Sequence, residues 1–283
     1  MNDTTSPRRV LLVGYGKLAA RLAPRLVERG DEVFAIRRSS AVLPEGVSGI
    51  RADLAAPLDA PLPRVDAMLV TLPPGDTVTA YRTALAHLAQ ALPAVPARVV
   101  FVSSTGVFDG VFDGVDPGRP ITEQDEPAPT TERSRGLRDG ERAAVDLFSA
   151  VIVRPAGIYG PGREFLLRTV REGKGVDHAR RTNRIHEVDL VRTLDLLLRM
   201  DQPPRLLHAV DERPAPLGDV VRFIAEQLGL DVPPDLASGV PSGVVHDGAR
   251  LRSVLGGLAY PTFEAGYAAM IAEAVDRGRD DAV

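Results

Sequence analysis

Gly14, Gly16 and Ala19 stand in the spacing G-x-G-x-x-A within the stretch Gly14-Tyr15-Gly16-Lys17-Leu18-Ala19. A glycine at the first of these positions permits a tight turn. A glycine at the second lets backbone approach a diphosphate, and a small third residue lets a helix pack closely on the strand before it. The opening turn of that helix offers unpaired N–H groups and the positive end of its dipole to phosphate oxygens. Gly14, Tyr15, Gly16, Lys17 and Leu18 are therefore candidates for holding a dinucleotide. A second apolar run closes with Ile36-Arg37-Arg38-Ser39. An acid there would hold a ribose 2′-hydroxyl and repel a 2′-phosphate, whereas two guanidiniums and a hydroxyl favour the phosphate. Arg37, Arg38 and Ser39 thus point to NADP rather than NAD; the alternative is a solvated basic turn in an arginine-rich chain. Asp53 could accept from an adenine amino group or close a local Asx turn. Leu72, ending a fourth apolar run, and Pro155, just beyond a sixth, complete the expected cofactor contacts.

Composition bounds these readings. The chain has 283 residues, 44% of them hydrophobic, which suits one large α/β domain or a main domain with an appendage. A net charge of −4 points to neither nucleic-acid nor membrane-surface binding. Cysteine is absent, which excludes disulfides and thiol catalysis. The polar opening MNDTTSPRR does not read as a secretory leader, and no apolar run approaches a membrane span, so a cytoplasmic protein is expected. The histidines His87, His178, His186, His208 and His246 are not grouped with acids at ligand spacing, and no metal is inferred.

The elements that must position these residues follow from periodicity. Short, almost wholly apolar runs at 10–13, 32–36, 67–72, 98–102 and 151–154, with a weaker one at 48–51, read as buried parallel strands. Between them, the segments from Leu18 to Gly30, Thr77 to Leu92 and Arg133 to Phe148 carry helical spacing, with Leu137, Ala144, Val145 and Phe148 forming the apolar face of the last. Pro24 sits inside the first helix, where a kink is expected. Gly106 to Pro129 is rich in Gly, Pro and Asp and reads as a surface loop whose Asp109, Asp113 and Asp116 could face a substrate. Later helices are expected at 164–172, 186–200, 217–228 and 263–275, with a strand at 206–210. The alternation predicts an α/β, Rossmann-type, doubly wound parallel sheet.

GYGKLA, SSTGVF (Ser103–Phe108), RPAGIYGPG (Arg154–Gly162) and NRIHEVDL (Asn183–Leu190), in that order, resemble the extended and atypical short-chain dehydrogenase/reductases, the NAD(P)-dependent epimerase/dehydratase group. The resemblance runs from about Arg8 to about Tyr267. It implies a dinucleotide-binding domain formed by residues 1–159 and 186–210, and a small C-terminal substrate lobe formed by 160–185 and 211–283. It also implies that Ser104 orients a substrate oxygen, and that a Tyr-x-x-x-Lys pair on the following helix moves the proton. A lysine one turn away lowers a phenol pKa that is otherwise near ~10.

That pair is missing. Counting back from Glu141, the tyrosine position falls on Arg133 and the lysine position on Leu137; no tyrosine lies between Tyr81 and Tyr159, and no lysine between Lys17 and Lys174. Arginine is a poor general base. Tyr159, water or a loop acid is left to deliver the proton, so Ser104 and Tyr159 are the catalytic candidates. His186 is expected to anchor a helix start. The expected activity is reduction or epimerisation of a small oxygenated substrate; the alternative is a catalytically silent NADP(H)-binding sensor or partner-binding protein. Gly136 and Gly140 would allow close helix contact, which makes a homodimer an expectation.

Overall fold

The computed structural model describes residues 7–39, 42–110, 118–236 and 242–280. Asp113 and Asp116 lie outside them. The strand β1 (Arg9–Val13) carries four consecutive fully buried apolar residues, as a parallel strand covered on both faces requires. The glycine loop leads into α1 (Lys17–Glu28), which buries Leu18, Ala19, Leu22, Ala23 and Leu26 and runs on past Pro24, so the proline does not end it. There follow β2 (Glu32–Arg37), β3 (Val47–Arg51), β4 (Ala67–Val70), α2 (Ala80–Ala91) and β5 (Arg98–Val102). A 3-10 turn at Thr105–Phe108 precedes α3 (Glu132–Phe148) and β6 (Val151–Pro155). The fourth strand stops at Val70 and the second helix waits until Ala80, because Pro73 and Pro74 deny both elements their backbone donors.

Seven strands form one sheet in the order β10-β6-β5-β4-β1-β2-β3, where β10 is Leu206–Ala209. The pairs β2–β3, β1–β2, β1–β4, β4–β5 and β5–β6 are parallel, for example Val10↔Val33 and Val10↔Ala67. The chain proceeds from β1 to β2 and β3 on one side, then crosses to β4 on the other. The carboxyl ends of β1 and β4 therefore border the point where strand order reverses, which is where such sheets form a ligand crevice.

The chain divides into two compact units. One comprises the chain up to Gly110, Pro127–Arg154 and Val191–Leu207; the other comprises the loop ending at Glu126, Pro155–Leu190 and the chain from His208. Along the second run β7 (Gly157–Tyr159), α4 (Phe165–Arg171), β8 (Arg181–Thr182), β9 (Arg184–His186), α5 (Glu187–Arg199), which passes from the second unit to the first, and, after β10, β11 (Ala215–Pro216), α6 (Leu217–Leu228), α7 (Ala249–Leu255) and α8 (Phe263–Asp280). Its core gathers Tyr159, Leu167, Val170, Val220, Val221, Ile224, Phe263, Tyr267 and Met270. The strands β7, β8, β9 and β11 escape sequence reading because two or three residues are too few to show a period.

Helix α3 corrects two expectations. Val145 is 47% exposed, and the inward face is built instead from Leu137, Gly140, Ala143, Ala144 and Phe148. Gly136 and Gly140 do allow a close helix approach, but to α2 and its lead-in within the same chain. A Cβ on Gly140 would lie 2.8 Å from the Cβ and Cγ of Tyr81, and one on Gly136 3.4 Å from the Val78 carbonyl oxygen. The glycines therefore supply no argument for a homodimer.

Candidate functional site

The carboxyl ends of β1, β2, β3 and β4 open onto a cavity of about 730 Å³ that lies wholly in the first unit. Gly14, Tyr15 and Gly16 line it from the glycine loop, Arg37, Arg38 and Ser39 from the end of β2, Asp53 from the turn after β3, and Leu72 from the segment after β4. Eight of the sequence candidates thus share one space. Lys17, Leu18, Ser104, Pro155 and Tyr159 are not among its lining residues. Leu18 is instead 7% exposed, its side chain spent on packing α1 against the sheet.

The loop has the geometry its spacing demands. Gly14 adopts φ +86, and a Cβ there would come within 3.1 Å of the Thr71 backbone, so only glycine fits without strain. Gly16 meets nothing within 4 Å, which leaves its approach open to a ligand. Two residues that sequence reading passed over hold this wall. Thr71 donates its hydroxyl to the Gly14 carbonyl at 2.6 Å, fixing the turn to β4. Tyr81 donates to the Leu72 carbonyl at 2.9 Å while its ring meets Phe101 edge-on. Burial pushes the Tyr81 phenol up to about 12, so it keeps its proton.

The residues present fit a phosphate-bearing nucleotide. The Tyr15 hydroxyl and the Arg37 Nε are buried on the cavity wall without a hydrogen-bond partner. Each such orphan costs on the order of 1–3 kcal/mol unless a ligand satisfies it. Burial raises the Tyr15 phenol pKa, and the nearby Arg37 charge pulls it back. Asp53 turns one carboxylate oxygen to its own turn, accepting from the Ala55 N–H at 3.1 Å, so the Asx turn is formed.

At the end of β5 two serines take opposite roles, as alternation along a strand dictates. Ser103 points inward and donates to Glu141 Oε1 at 2.7 Å. Ser104 caps the 3-10 turn, its hydroxyl oxygen accepting from the Gly106 N–H at 3.0 Å, which leaves its own proton to give. Glu141 also receives Arg154 through Nε at 2.7 Å and Nη2 at 2.8 Å, and Arg138 at 3.0 Å. This buried clamp ties α3 to the ends of β5 and β6, and the Arg154 guanidinium lies 5.1 Å from the centre of the Phe108 ring.

Helix α3 places Leu137, where a lysine would stand, in the core at 3% exposure, and Arg133 on its exposed side. Tyr159 is a core residue of the second unit. Its hydroxyl donates to the Thr262 carbonyl at 3.3 Å, its ring stacks on Tyr267 with centroids 4.7 Å apart, and burial raises its pKa further above the ordinary phenol value. A phenol so held is committed to packing and is a poor proton source. Asp109, expected to face a substrate, is engaged elsewhere. It accepts from the Thr130 N–H at 2.8 Å and the Thr131 hydroxyl at 2.7 Å, fastening the start of α3. Burial would raise this carboxyl, but those bonds and one from Ser134 outweigh it and hold it at about 2.

The NRIHEVDL segment is architectural in the same way. Asn183 donates to the Val244 carbonyl at 2.7 Å and accepts from the His246 N–H at 2.8 Å. His186 accepts from the Val188 N–H at 3.3 Å at the start of α5, and Asp189 accepts from Ala259 and Tyr260 N–H at 2.8 and 2.9 Å. Among the described residues no group of three or more His, Asp or Glu is arranged to hold a metal ion, and no helix is long and apolar enough to cross a membrane.

Residues 76–182 match the RmlD substrate binding domain family. The dTDP-4-dehydrorhamnose reductase of Mycobacterium tuberculosis is 34% identical over 153 residues, covering 51% of this chain and 50% of that protein. The chain thus spans about half the length of the curated relatives it matches. A Methylobacillus flagellatus protein described as an NAD-dependent epimerase/dehydratase superposes with a TM-score of 0.76 at 28% identity, over 95% of this chain and 99% of that one. The chain thus resembles RmlD-type substrate binding domains over residues 76–182 and shares its fold with an NAD-dependent epimerase/dehydratase structure. MoeE5 in complex with UDP-glucose and NAD shares the fold, with a TM-score of 0.74 at 23% identity over 95% of this chain and 99% of that one.

Proposed function

We propose that this protein is an NADP(H)-dependent reductase or epimerase acting on a small oxygenated substrate of the sugar-nucleotide class, with the second unit as its substrate lobe. The cavity at the carboxyl ends of β1 to β4 carries the reading, because the glycine loop and Arg37-Arg38-Ser39 face a single space there. Backbone at Gly14 and Gly16 and the first turn of α1 would hold the diphosphate. Arg37, Arg38 and Ser39 would hold a phosphate on the adenosine side, with Asp53 beside them. When bound, the nicotinamide supplies hydride chemistry. Ser104 would donate a hydrogen bond to a substrate oxygen and so polarise the carbon that bears it. Proton delivery falls to water, since α3 has neither tyrosine nor lysine and Tyr159 is packed in a core. The sugar-nucleotide class is supported by the reductase relative, which is named for a dTDP-linked sugar.

The test is calorimetric titration with NADPH and NADH, followed by NADPH oxidation against a panel of carbonyl compounds that includes nucleotide-linked ketosugars. Binding of NADPH, turnover of at least one such ketosugar, and a loss of about a hundredfold in turnover for Ser104→Ala with unchanged NADPH affinity are expected. The absence of both tyrosine and lysine from α3 favours a second reading, a silent NADP(H)-binding sensor. Binding without oxidation across the panel, and no effect of Ser104→Ala on any ligand, would select it. No heat from either nucleotide would remove both readings.

A further inference from the structure

Resting on the cavity's reading as a dinucleotide site, we infer that Tyr15 is a specificity-determining residue: its hydroxyl, together with the Nε of Arg37, is a donor pair for the 2′-phosphate of NADP. Tyr15 occupies the variable position between the two loop glycines, where the backbone alone is usually asked to bind. Its side chain nonetheless reaches the same wall as the end of β2. Both residues line the cavity, and the phenol feels the guanidinium charge. The loop and β2 are joined directly, the Gly14 N–H donating to the Ile36 carbonyl at 3.2 Å, so the two side chains start from a fixed separation.

The hydrogen-bond inventory at this wall is unbalanced in one direction. The Tyr15 hydroxyl and Arg37 Nε are both buried, and neither satisfies the other. Arg37 spends Nη2 on Ser39 Oγ at 3.4 Å, a long contact. An Nε–H can only donate, and a phenol that keeps its proton can donate too, so both groups can give a hydrogen bond to a ligand in this cavity. A phosphate monoester supplies acceptor oxygens and the charge that a guanidinium favours. A ribose hydroxyl brings no charge and one oxygen where the phosphate brings three. A phenylalanine would fill the same volume without an orphaned oxygen, so the hydroxyl costs stability in the free protein and is repaid by a ligand.

Tyr15→Phe separates this role from mere loop packing. Calorimetry is run with NADPH, NADH, 2′-AMP and 5′-AMP on wild type and variant, and melting temperatures are taken without ligand. The variant should lose about tenfold in affinity, ~1.4 kcal/mol, for NADPH and 2′-AMP only. NADH and 5′-AMP should bind unchanged, and the ligand-free variant should melt at the same temperature or higher. Equal loss for all four ligands, or no loss for any, overturns the inference. So does a wild type that binds NADH and 5′-AMP as tightly as their 2′-phosphorylated counterparts, although the dinucleotide reading would then stand. If none of the four binds, the dinucleotide reading falls with it.

Discussion

At Asp211 burial pushes the carboxyl up to about 7, against the pull of Arg184 and of the Arg213 N–H that donates to Oδ1 at 3.2 Å. In the unfolded chain this group ionises near its ordinary value of 3.8. Below that pH both states hold the proton and nothing is lost. As pH rises towards 7 the folded state resists ionisation, and its stability falls by an amount on the order of a few kcal/mol. Asp211→Asn cannot ionise, so its melting temperature relative to wild type should climb between pH 4 and pH 7 and level off above. A flat difference across that range would contradict the burial argument. Asp109 has the opposite sign: held at about 2, it stabilises above its ordinary value and that contribution disappears as pH falls towards 2. At Gly16 the open space makes a separate prediction. Gly16→Ala should leave the ligand-free melting temperature within about 1 °C of wild type yet weaken NADPH, because the methyl intrudes only where a diphosphate would lie.

At the scale of elements, α3 is held from two sides. Its glycine face lies on α2, and Gly140→Ala would force a methyl to 2.8 Å from Tyr81, which itself holds the Leu72 carbonyl beside the cavity. That substitution should cost roughly 1–3 kcal/mol and weaken nucleotide binding as well. Gly136→Ala, with 3.4 Å to its nearest neighbour, should be milder in a denaturant titration. On the other side the Glu141–Arg154 pair joins α3 to β6, both side chains 2% exposed. Glu141→Gln leaves a buried guanidinium without its counter-charge and should cost about 3–5 kcal/mol. Adding Arg154→Met should recover part of that loss, which a double-mutant cycle would read as coupling.

For the whole molecule, the cavity lies within one unit, so the effect of ligand should be graded along the chain. NADPH at about a hundred times its Kd should stabilise by ~2.7 kcal/mol. Amide exchange should slow most in β1, β2, β4 and α1, and less in β7, β9 and α6 of the second unit. Uniform slowing across both units would argue against a site confined to the first. With guanidiniums as the proposed adenosine-side contact, NADPH affinity should also fall as salt rises, more steeply than that of NADH.

Much of this was legible without coordinates. Apolar runs of four or five residues specify buried parallel strands, because nothing else covers both faces of such a run. Glycine spacing specifies the tight turn after β1, because only glycine tolerates Gly14's φ of +86 without strain. These are local rules, and local sequence carries them. The placement of Arg37-Arg38-Ser39 after β2 and of Ser104 after β5 was also legible, because strand ends are set by local pattern. What local pattern could not carry was which side chains meet at long range. The engagement of Tyr159 with Thr262, of Asp109 with Thr131 and of Gly140 with Tyr81 joins segments far apart in the chain. Those pairings decide which hydroxyls and carboxylates are spent on structure and which are left for a ligand, and only packing in three dimensions sets them.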